Sequence, residues 1–119
     1  MDYERAKASI LAKPEAVELP PAGSGSSSFK VCHKLFATLA EDGDGTPYIN
    51  LKCEPDRAQE LRDNYPAIQP GYRMNKVHWN TILLDDSVPD DLILELIDHS
   101  YERVLENLPG ADQKRLLGR

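Results

Sequence analysis

The chain has 119 residues, 29% of them charged, and a net charge of −6 at pH 7. This length fits one compact domain, residues 1–119, and leaves no room for two. No run of about 18 apolar residues is present, which excludes a membrane-spanning helix, and the acidic balance disfavours indiscriminate binding to phosphate backbones.

The chain is predicted to begin with a helix over residues 2–13, with Ile10 on its apolar side and Pro14 at its end. This segment mixes acids with bases around a short apolar centre, which is not the pattern of an export signal. Without such a signal, the two cysteines, Cys32 and Cys53, are expected to be reduced thiols in a cytoplasmic protein.

Residues 15–28 are predicted to be a flexible loop, because two prolines are followed by a run rich in serine and glycine. A ligand-binding role for these glycines is the less favoured alternative. A phosphate loop in particular is disfavoured, since no Gly-Lys-Ser/Thr follows the glycines and no apolar strand precedes them.

Three strands are predicted between residues 29 and 53. The first two meet near Cys32-His33, and the third alternates polar with apolar side chains over residues 46–53. The segment Glu-Asp-Gly-Asp-Gly at residues 41–45 is typical of a turn. It resembles the start of a calcium loop, but the later ligands and the closing glutamate are missing, so a turn is favoured over a metal site.

Two further helices are predicted from their prolines and apolar stripes. The first runs from Glu54 to about Tyr65, with a proline in its first turn and another directly after it. The last and longest starts near Asp86 and ends before Pro109. Residues 110–119 are predicted to form a short C-terminal tail, with a helix through Leu116-Leu117 as the alternative. The broad apolar stripe of the last helix predicts that it packs on the sheet.

The stretch over residues 70–86 is predicted to form a β-hairpin around which the domain is organised. Residues 77–84 alternate in the manner of a strand, and residues 72–74 can form a shorter one. The Asn-Lys pair between them is the predicted two-residue connection, a weaker signal than Asn-Gly. This connection places Tyr72 opposite Trp79 as an aromatic cross-strand pair.

The predicted order is therefore α-β-β-β-α-β-β-α. Strands joined by short turns are antiparallel, and helices on one face of such a sheet make a two-layer sandwich. The sequence thus predicts the α+β class, with an antiparallel sheet of about five strands and the helices on one face.

Three segments together resemble the MmcQ/YjbR family of small bacterial proteins. They are GYRMNKVHWNTILLDDSVPDDLILELIDHSY, FKVCHKLFATL and LKCEPDRAQELR, which cover about residues 29–105. The chain departs from the family before Phe29, where a Ser/Gly run replaces an aromatic, glycine-containing segment, so a shortened first strand is expected. The resemblance implies a CyaY-like fold and the double-wing DNA-binding role proposed for the family.

The candidate DNA-binding residues lie in the predicted hairpin and on neighbouring strands. They are Tyr72, Arg73, Asn75, Lys76, His78, Trp79, Lys30, Lys34 and Lys52. The cations would contact phosphates or base edges, and the aromatic rings would stack on bases. Each group also has a structural alternative. Core packing is favoured for Trp79, with His78 hydrogen-bonded on the other face of the strand. A solvated turn is the alternative for Arg73, Asn75 and Lys76, and scattered surface charge for the three strand lysines.

The expected protein is a binding module, not an enzyme. The sequence has no nucleophile elbow, no helical His-Glu-x-x-His and no defensible zinc spacing, so neither a cofactor nor a metal is expected. The alternative to DNA is a protein partner or a second copy of the chain, held by a sheet face or by the acidic last helix. Eight acids and one base between Asp85 and Glu106 would attract a basic partner and repel phosphates.

Overall fold

The computed structural model of the protein describes residues 1–19 and 25–117. The elements in chain order are α1 (Tyr3–Leu11), β1 (Val17–Leu19), β2 (Ser27–Val31), β3 (Lys34–Glu41), β4 (Pro47–Lys52), α2 (Pro55–Asn64), β5 (Ile68–Pro70), β6 (Trp79–Leu83), α3 (Asp90–Leu105) and α4 (Gly110–Leu117). The strands form one antiparallel sheet in the order β1-β2-β3-β4-β6-β5. None of the described helices is long and apolar enough to cross a membrane.

The predicted α+β class and antiparallel sheet are confirmed, with six strands where about five were expected. The additional strand is β1, which pairs with β2 and lies inside the predicted flexible loop at residues 15–28. The loop prediction is therefore wrong for β1 and for the first residues of β2, and residues 20–24 lie outside the described ranges. A three-residue edge strand is too short to show alternation, so only its pairing with β2 reveals it.

The apolar stripe of α3 packs on the sheet as predicted, and Ile97 is 1% exposed there. The Tyr101 ring meets the Phe36 ring edge to face, with 5.4 Å between centroids. Ser100 Oγ donates to the Phe36 carbonyl at 2.6 Å and accepts from the Lys52 N–H at 2.8 Å. The helix is thus fixed over β3 and β4 by both apolar and polar contacts.

The strands β2 and β3 meet at Cys32-His33, as predicted, through a two-residue turn. Both turn residues have positive φ, 48° at Cys32 and 66° at His33. This is the type I′ pattern that suits a tight hairpin but that side chains other than glycine and asparagine adopt at a cost. Cys32 and the buried Cys53 are both free thiols.

The second hairpin, made by β5 and β6, differs from the prediction in its register. Pro70 lies opposite Asn80, so the predicted pairing of Tyr72 with Trp79 across a two-residue Asn-Lys connection is wrong. Residues 71–78 instead form a longer connection, hereafter the 71–78 loop. The Gly71 N–H closes it by donating to the Trp79 carbonyl at 2.9 Å.

Candidate nucleic-acid interface

The face of the sheet opposite the helices, hereafter the outer face, carries a row of polar side chains. Neighbouring strands place Ser28, Thr38, Asn50, Thr81 and Gln69 next to one another across five strands. Asn50 Nδ2 donates to Thr38 Oγ1 at 3.0 Å, and the Thr81 hydroxyl donates to Asn50 Oδ1. Asn50 and Thr81 are each 4% exposed, and buried polar groups of this kind need such partners.

This polar row holds the 71–78 loop against the outer face. The Tyr72 N–H donates to Thr81 Oγ1 at 2.8 Å, so the loop continues the hydrogen-bond chain that begins at Thr38. The Tyr72 and Tyr48 rings then meet edge to face, with 6.1 Å between centroids and an interplanar angle of 90°. The sheet therefore sets where the loop places its exposed side chains.

Two of the predicted site residues, Asn75 and Lys76, form hydrogen bonds within the loop. Asn75 Oδ1 accepts from the N–H groups of Val77 and His78, at 2.9 and 3.2 Å. Lys76 Nζ donates to the Gly71 carbonyl at 3.2 Å, so the ammonium group contacts the backbone of its own loop. Asn75 and Lys76 thus shape the loop, a role included neither in the predicted DNA contact nor in the solvated-turn alternative.

The side chain of Arg62, which reaches the loop from α2, was not predicted to take part. Its guanidinium group donates to the Lys76 carbonyl and, at 2.7 Å, to Asn80 Oδ1. Asn80 Nδ2 in turn donates to the Ala58 carbonyl at 3.3 Å. The end of the loop is therefore tied both to a helix and to a central strand.

Trp79 lies beneath the loop and is 8% exposed, so its indole is not presented to a ligand. A Cβ atom at Gly71 would lie 2.8 Å from Trp79 Cβ and 3.0 Å from Met74 Cβ, closer than side chains pack. The loop can approach Trp79 this closely only because residue 71 has no side chain. Strand alternation puts Trp79 on the outer face with Thr81, opposite the core residue Ile82.

Tyr72 and Arg73 are two of the predicted site residues that lie exposed on the loop. Tyr72 is 53% exposed, and Arg73 is exposed as well. Arg73 has a φ of 60° and its Cζ lies 5.2 Å from the Tyr72 ring centroid. A non-glycine residue in the left-handed region is uncommon, and here it turns the guanidinium group back over the ring.

The same two residues form one wall of a surface cleft of about 400 Å³, hereafter the Tyr72 cleft. Its lining comprises Glu41, Tyr48, Gln69, Thr81 and Leu83 from the sheet, Tyr72 and Arg73 from the loop, and Asp42 and Gly43 from the turn between β3 and β4. The alternation predicted for residues 46–53 puts Tyr48 on the same side of its strand as Asn50. It gave no sign that the turn and the loop would border one cavity.

The acidic turn that borders the cleft is an Asx turn. Asp42 Oδ1 accepts from the N–H groups of Asp44 and Thr46, at 2.8 and 3.0 Å. Among the described residues, no group of three or more histidine, cysteine or acidic side chains could hold a metal ion. Because of its two hydrogen bonds, Asp42 Oδ1 is occupied by the backbone of the turn.

The predicted lysines do not line the Tyr72 cleft. Lys34 and Lys52 line a separate cavity of about 360 Å³, together with Val104 and Asn107 near the end of α3. Lys30 lies in β2 opposite Leu35. The structure therefore brings Lys34 and Lys52 together, but it does not gather all the predicted cations around Arg73.

His78 is exposed at the end of the 71–78 loop, where its carbonyl accepts from the Cys53 N–H at 2.8 Å. The adjacent residue, Trp79, is paired with Lys52 across β6 and β4. This hydrogen bond and this pairing place the backbone at His78 beside Lys52 and Cys53.

Three acidic side chains of α3 are paired with bases from other parts of the chain. The pairs are Arg5 with Asp90 at 2.5 Å, Arg57 with Glu95 at 2.8 Å, and Lys13 with Asp98. Because these pairs are at least partly exposed, each contributes little to stability. They do reduce the acidic field that the last helix projects, which weakens both its repulsion of phosphates and its attraction for a basic partner.

The comparisons with known proteins agree on one family. The YjbR family profile matches residues 11–103. This chain belongs to the YjbR family. YbdF of Escherichia coli O157:H7 is 37% identical over 111 residues, which cover 88% of this chain and 90% of YbdF. YjbR of Escherichia coli K12 is 34% identical over 107 residues and 90% of each chain.

A solved structure supports the same assignment of this YjbR-family protein. The crystal structure of a Deinococcus radiodurans protein with a DUF419 domain has a TM-score of 0.87 and 31% sequence identity. The similarity covers 97% of this chain and 87% of that one. YbdF and YjbR are both named as uncharacterised proteins, so the family assignment carries the fold and leaves the activity to the site itself.

Proposed function

We propose that this YjbR-family protein is a non-enzymatic nucleic-acid-binding module that uses the Tyr72 cleft and the adjoining outer face. The observation that carries the proposal is the exposed Tyr72–Arg73 pair on a loop that buried hydrogen bonds hold in place. An aromatic ring and a guanidinium group in one exposed surface provide stacking for a base and charge for a phosphate. The pair is already ordered, so less conformational entropy is lost on binding.

The proposal narrows the set of residues predicted from the sequence. Arg73 is its principal cation and Tyr72 its stacking group. Lys30, Lys34 and Lys52 would contribute general phosphate attraction, whereas Trp79, Asn75 and Lys76 support the loop. With a net charge of −6, we expect weak binding, with a dissociation constant on the order of 10⁻⁵ M at physiological salt.

Fluorescence anisotropy with labelled single- and double-stranded oligonucleotides tests the proposal. Arg73→Ala should weaken binding and reduce the slope of log affinity against log salt by about one unit. Tyr72→Ala should weaken binding with little change in that slope. Lys114→Ala is the matched control. Lys114 is an exposed residue of α4, so its replacement removes one positive charge outside the cleft.

Two results would contradict the proposal. One is the absence of binding by the parent protein even at about 50 mM salt. The other is an affinity of Arg73→Ala equal to that of Lys114→Ala at that salt concentration. Urea unfolding of each variant verifies that the fold is retained.

A second candidate function is self-association through the edge strand β1. Val17 and Leu19 are 56% and 38% exposed on one side of this strand, while Glu18 turns to Lys7 with 3.3 Å between Oε1 and Nζ. An exposed edge with apolar side chains is a template for pairing with another strand. Light scattering of the parent and of Val17→Lys distinguishes this candidate, because a dimer through β1 should become a monomer in the variant.

A further inference from the structure

The 71–78 loop covers only part of the outer face. Its Tyr72 N–H donates to Thr81 in β6, and both Thr81 and Asn50, in β4, are 4% exposed. The strands β1, β2 and β3 lie on the other side of β4 in the sheet. Their outward side chains are exposed or half-buried and form a surface, hereafter the open face, made by Val17, Leu19, Ser28, Lys30 and Thr38.

The register of the β2–β3 hairpin puts Lys30 and Lys34 on opposite sides of the sheet. Lys30 alternates with the core residues Phe29 and Val31, so its side chain points to the open face. Lys34 lies directly opposite Val31, and residues paired in this way share one side of a sheet. The Lys34 side chain therefore starts on the helix side.

Acidic side chains do not point outward from any of the described strands. These strands contain two acids, Glu18 and Glu41. Glu18 pairs with Lys7 of α1 on the helix side, and Glu41 lies three positions beyond the outward Thr38, which turns it to the helix side as well. Among the described residues, Lys30 has no ion-pair partner. The open face thus carries an uncompensated positive charge, although the chain has a net charge of −6.

A small cleft of about 170 Å³ connects the open face with the Tyr72–Arg73 pair. Thr38 and Asn50 border it on the sheet, and Tyr72 and Arg73 border it on the loop. Arg73 is the only charged residue among its described lining residues. Three strand spacings, about 14 Å, separate β2 from β6, to which the loop is bonded. A ligand that contacts both Lys30 and the loop must therefore be extended.

The open face combines apolar side chains with a cation, which suits a single strand better than a duplex. Val17 and Leu19 are 56% and 38% exposed on the same side as Lys30. A duplex keeps the faces of its bases stacked inside, whereas a single strand offers phosphates to cations and unstacked bases to apolar and aromatic side chains. On the basis of the proposed function, we infer that the protein binds single-stranded nucleic acid, which crosses the open face from Lys30 to the Tyr72–Arg73 pair.

Fluorescence anisotropy tests this inference with a labelled mixed-sequence strand of about 16 nucleotides, a length within the range of single-strand sites. The same strand paired with its complement is the duplex probe. We expect the parent protein to bind the single strand at least about fivefold more tightly than the duplex, because one stacked base contributes about that factor.

Lys30→Ala and Lys34→Ala form a matched pair, since each removes one positive charge from the same hairpin. Lys30→Ala should reduce the slope of log affinity against log salt by about one unit for the single strand. Lys34→Ala should keep the slope of the parent, because the strand makes no phosphate contact on the helix side.

Leu19→Ser examines the apolar part of the open face. It should weaken binding of the single strand about fivefold, the lower end of the effect of one stacked base, and should leave the salt slope unchanged. Leu117→Ser is the control, because Leu117 is 56% exposed on α4 and lies outside the open face. Urea unfolding of each variant verifies that the fold is retained.

Three outcomes would overturn the inference. They are equal salt slopes for Lys30→Ala and Lys34→Ala, tighter binding to the duplex, and a Leu19→Ser variant that loses a dimer in light scattering but binds the strand as Leu117→Ser does. In each case the proposed function stands as long as Arg73→Ala weakens binding. The absence of parent binding to either probe at about 50 mM salt overturns both.

Discussion

The backbone N–H of Tyr72 lies 2.8 Å from Thr81 Oγ1, and the hydroxyl of Thr81 donates its own proton to Asn50 Oδ1. One buried hydroxyl thus joins the exposed loop to the middle of the sheet. Because Asn50 also donates to Thr38, the position of Tyr72 depends on residues from three different strands.

Replacement of Thr81 by valine should destabilise the protein and loosen the loop. Valine keeps the shape but removes the acceptor of Tyr72 N–H and the donor to Asn50, whose side chain is buried. Unpaired buried polar groups cost about 1–3 kcal/mol each. Urea unfolding should therefore show a free-energy loss in that range, and the affinity for oligonucleotides should fall as well.

Thr46→Val is the control for this substitution. The backbone N–H of Thr46, not its side chain, makes its hydrogen bond to Asp42. The variant should remain within about 0.5 kcal/mol of the parent. Equal unfolding free energies for the two variants would show that the polar row does not hold the loop.

Gly71→Ala should displace the loop from Trp79. The new Cβ atom would lie 2.8 Å from Trp79 Cβ, an approach that side chains do not tolerate without a shift of the backbone. Overpacking of this kind costs about 1–3 kcal/mol. Since Trp79 is the only tryptophan, its fluorescence emission should move to longer wavelength as water gains access to the indole.

Gly43→Ala provides the comparison, because a Cβ atom at that position meets nothing within 4 Å. Its emission maximum should match that of the parent. If Gly71→Ala also kept both its stability and its emission, the close approach of Gly71 to Trp79 would be wrong.

Replacement of Cys32 and His33 by asparagine and glycine should stabilise the protein. The turn requires positive φ at both positions, 48° and 66°, which Asn-Gly adopts more readily than Cys-His. Compatible turn substitutions commonly contribute about 0.5–2 kcal/mol. The expected result is a higher midpoint temperature in thermal unfolding. A lower midpoint would contradict the prediction and would mean that loss of the contact between Arg115 and Cys32 Sγ, at 3.5 Å, outweighs the relief of backbone strain.

Stability should fall as the pH drops below the ordinary pKa of histidine, through His99. Burial, and then the nearby Arg57 and Arg103 guanidinium groups, lower the pKa of His99 from its usual value of 6.5. Its Nε2 accepts from the Glu54 N–H at 3.1 Å, which requires that nitrogen to be unprotonated. The folded protein therefore holds His99 neutral at a pH where the unfolded chain has already bound the proton.

The direction in which the free energy of unfolding changes with pH follows from this difference in proton binding. Between pH 6.5 and the lowered pKa, the unfolded state binds more protons, so the free energy of unfolding decreases as the pH falls. Glu102 and Glu106 act in the opposite direction but do not reverse the shift. Urea unfolding across this range should show the decrease in the parent, and His99→Gln should remove it. A decrease of the same size in His99→Gln would assign it to other groups.

The sequence by itself determined the elements whose side chains have a regular period. Alternation identified β4 and β6, and the apolar stripe over residues 93–108 identified α3 as the helix that closes the core. These signals are local, because the spacing of apolar residues states which side of an element is buried. The family resemblance depends on the same residues, and the YjbR profile matches the region that contains them.

Only the tertiary structure decided the course of the 71–78 loop and the site that it makes. Asn75 has the same local signal whether it begins a two-residue turn or caps a longer loop, so the sequence could not separate the two. The choice is made by partners distant in the chain, Thr81 and Asn50 on the sheet and Arg62 on α2. Contacts between distant residues depend on how the strands align, and no periodicity along the chain records that alignment.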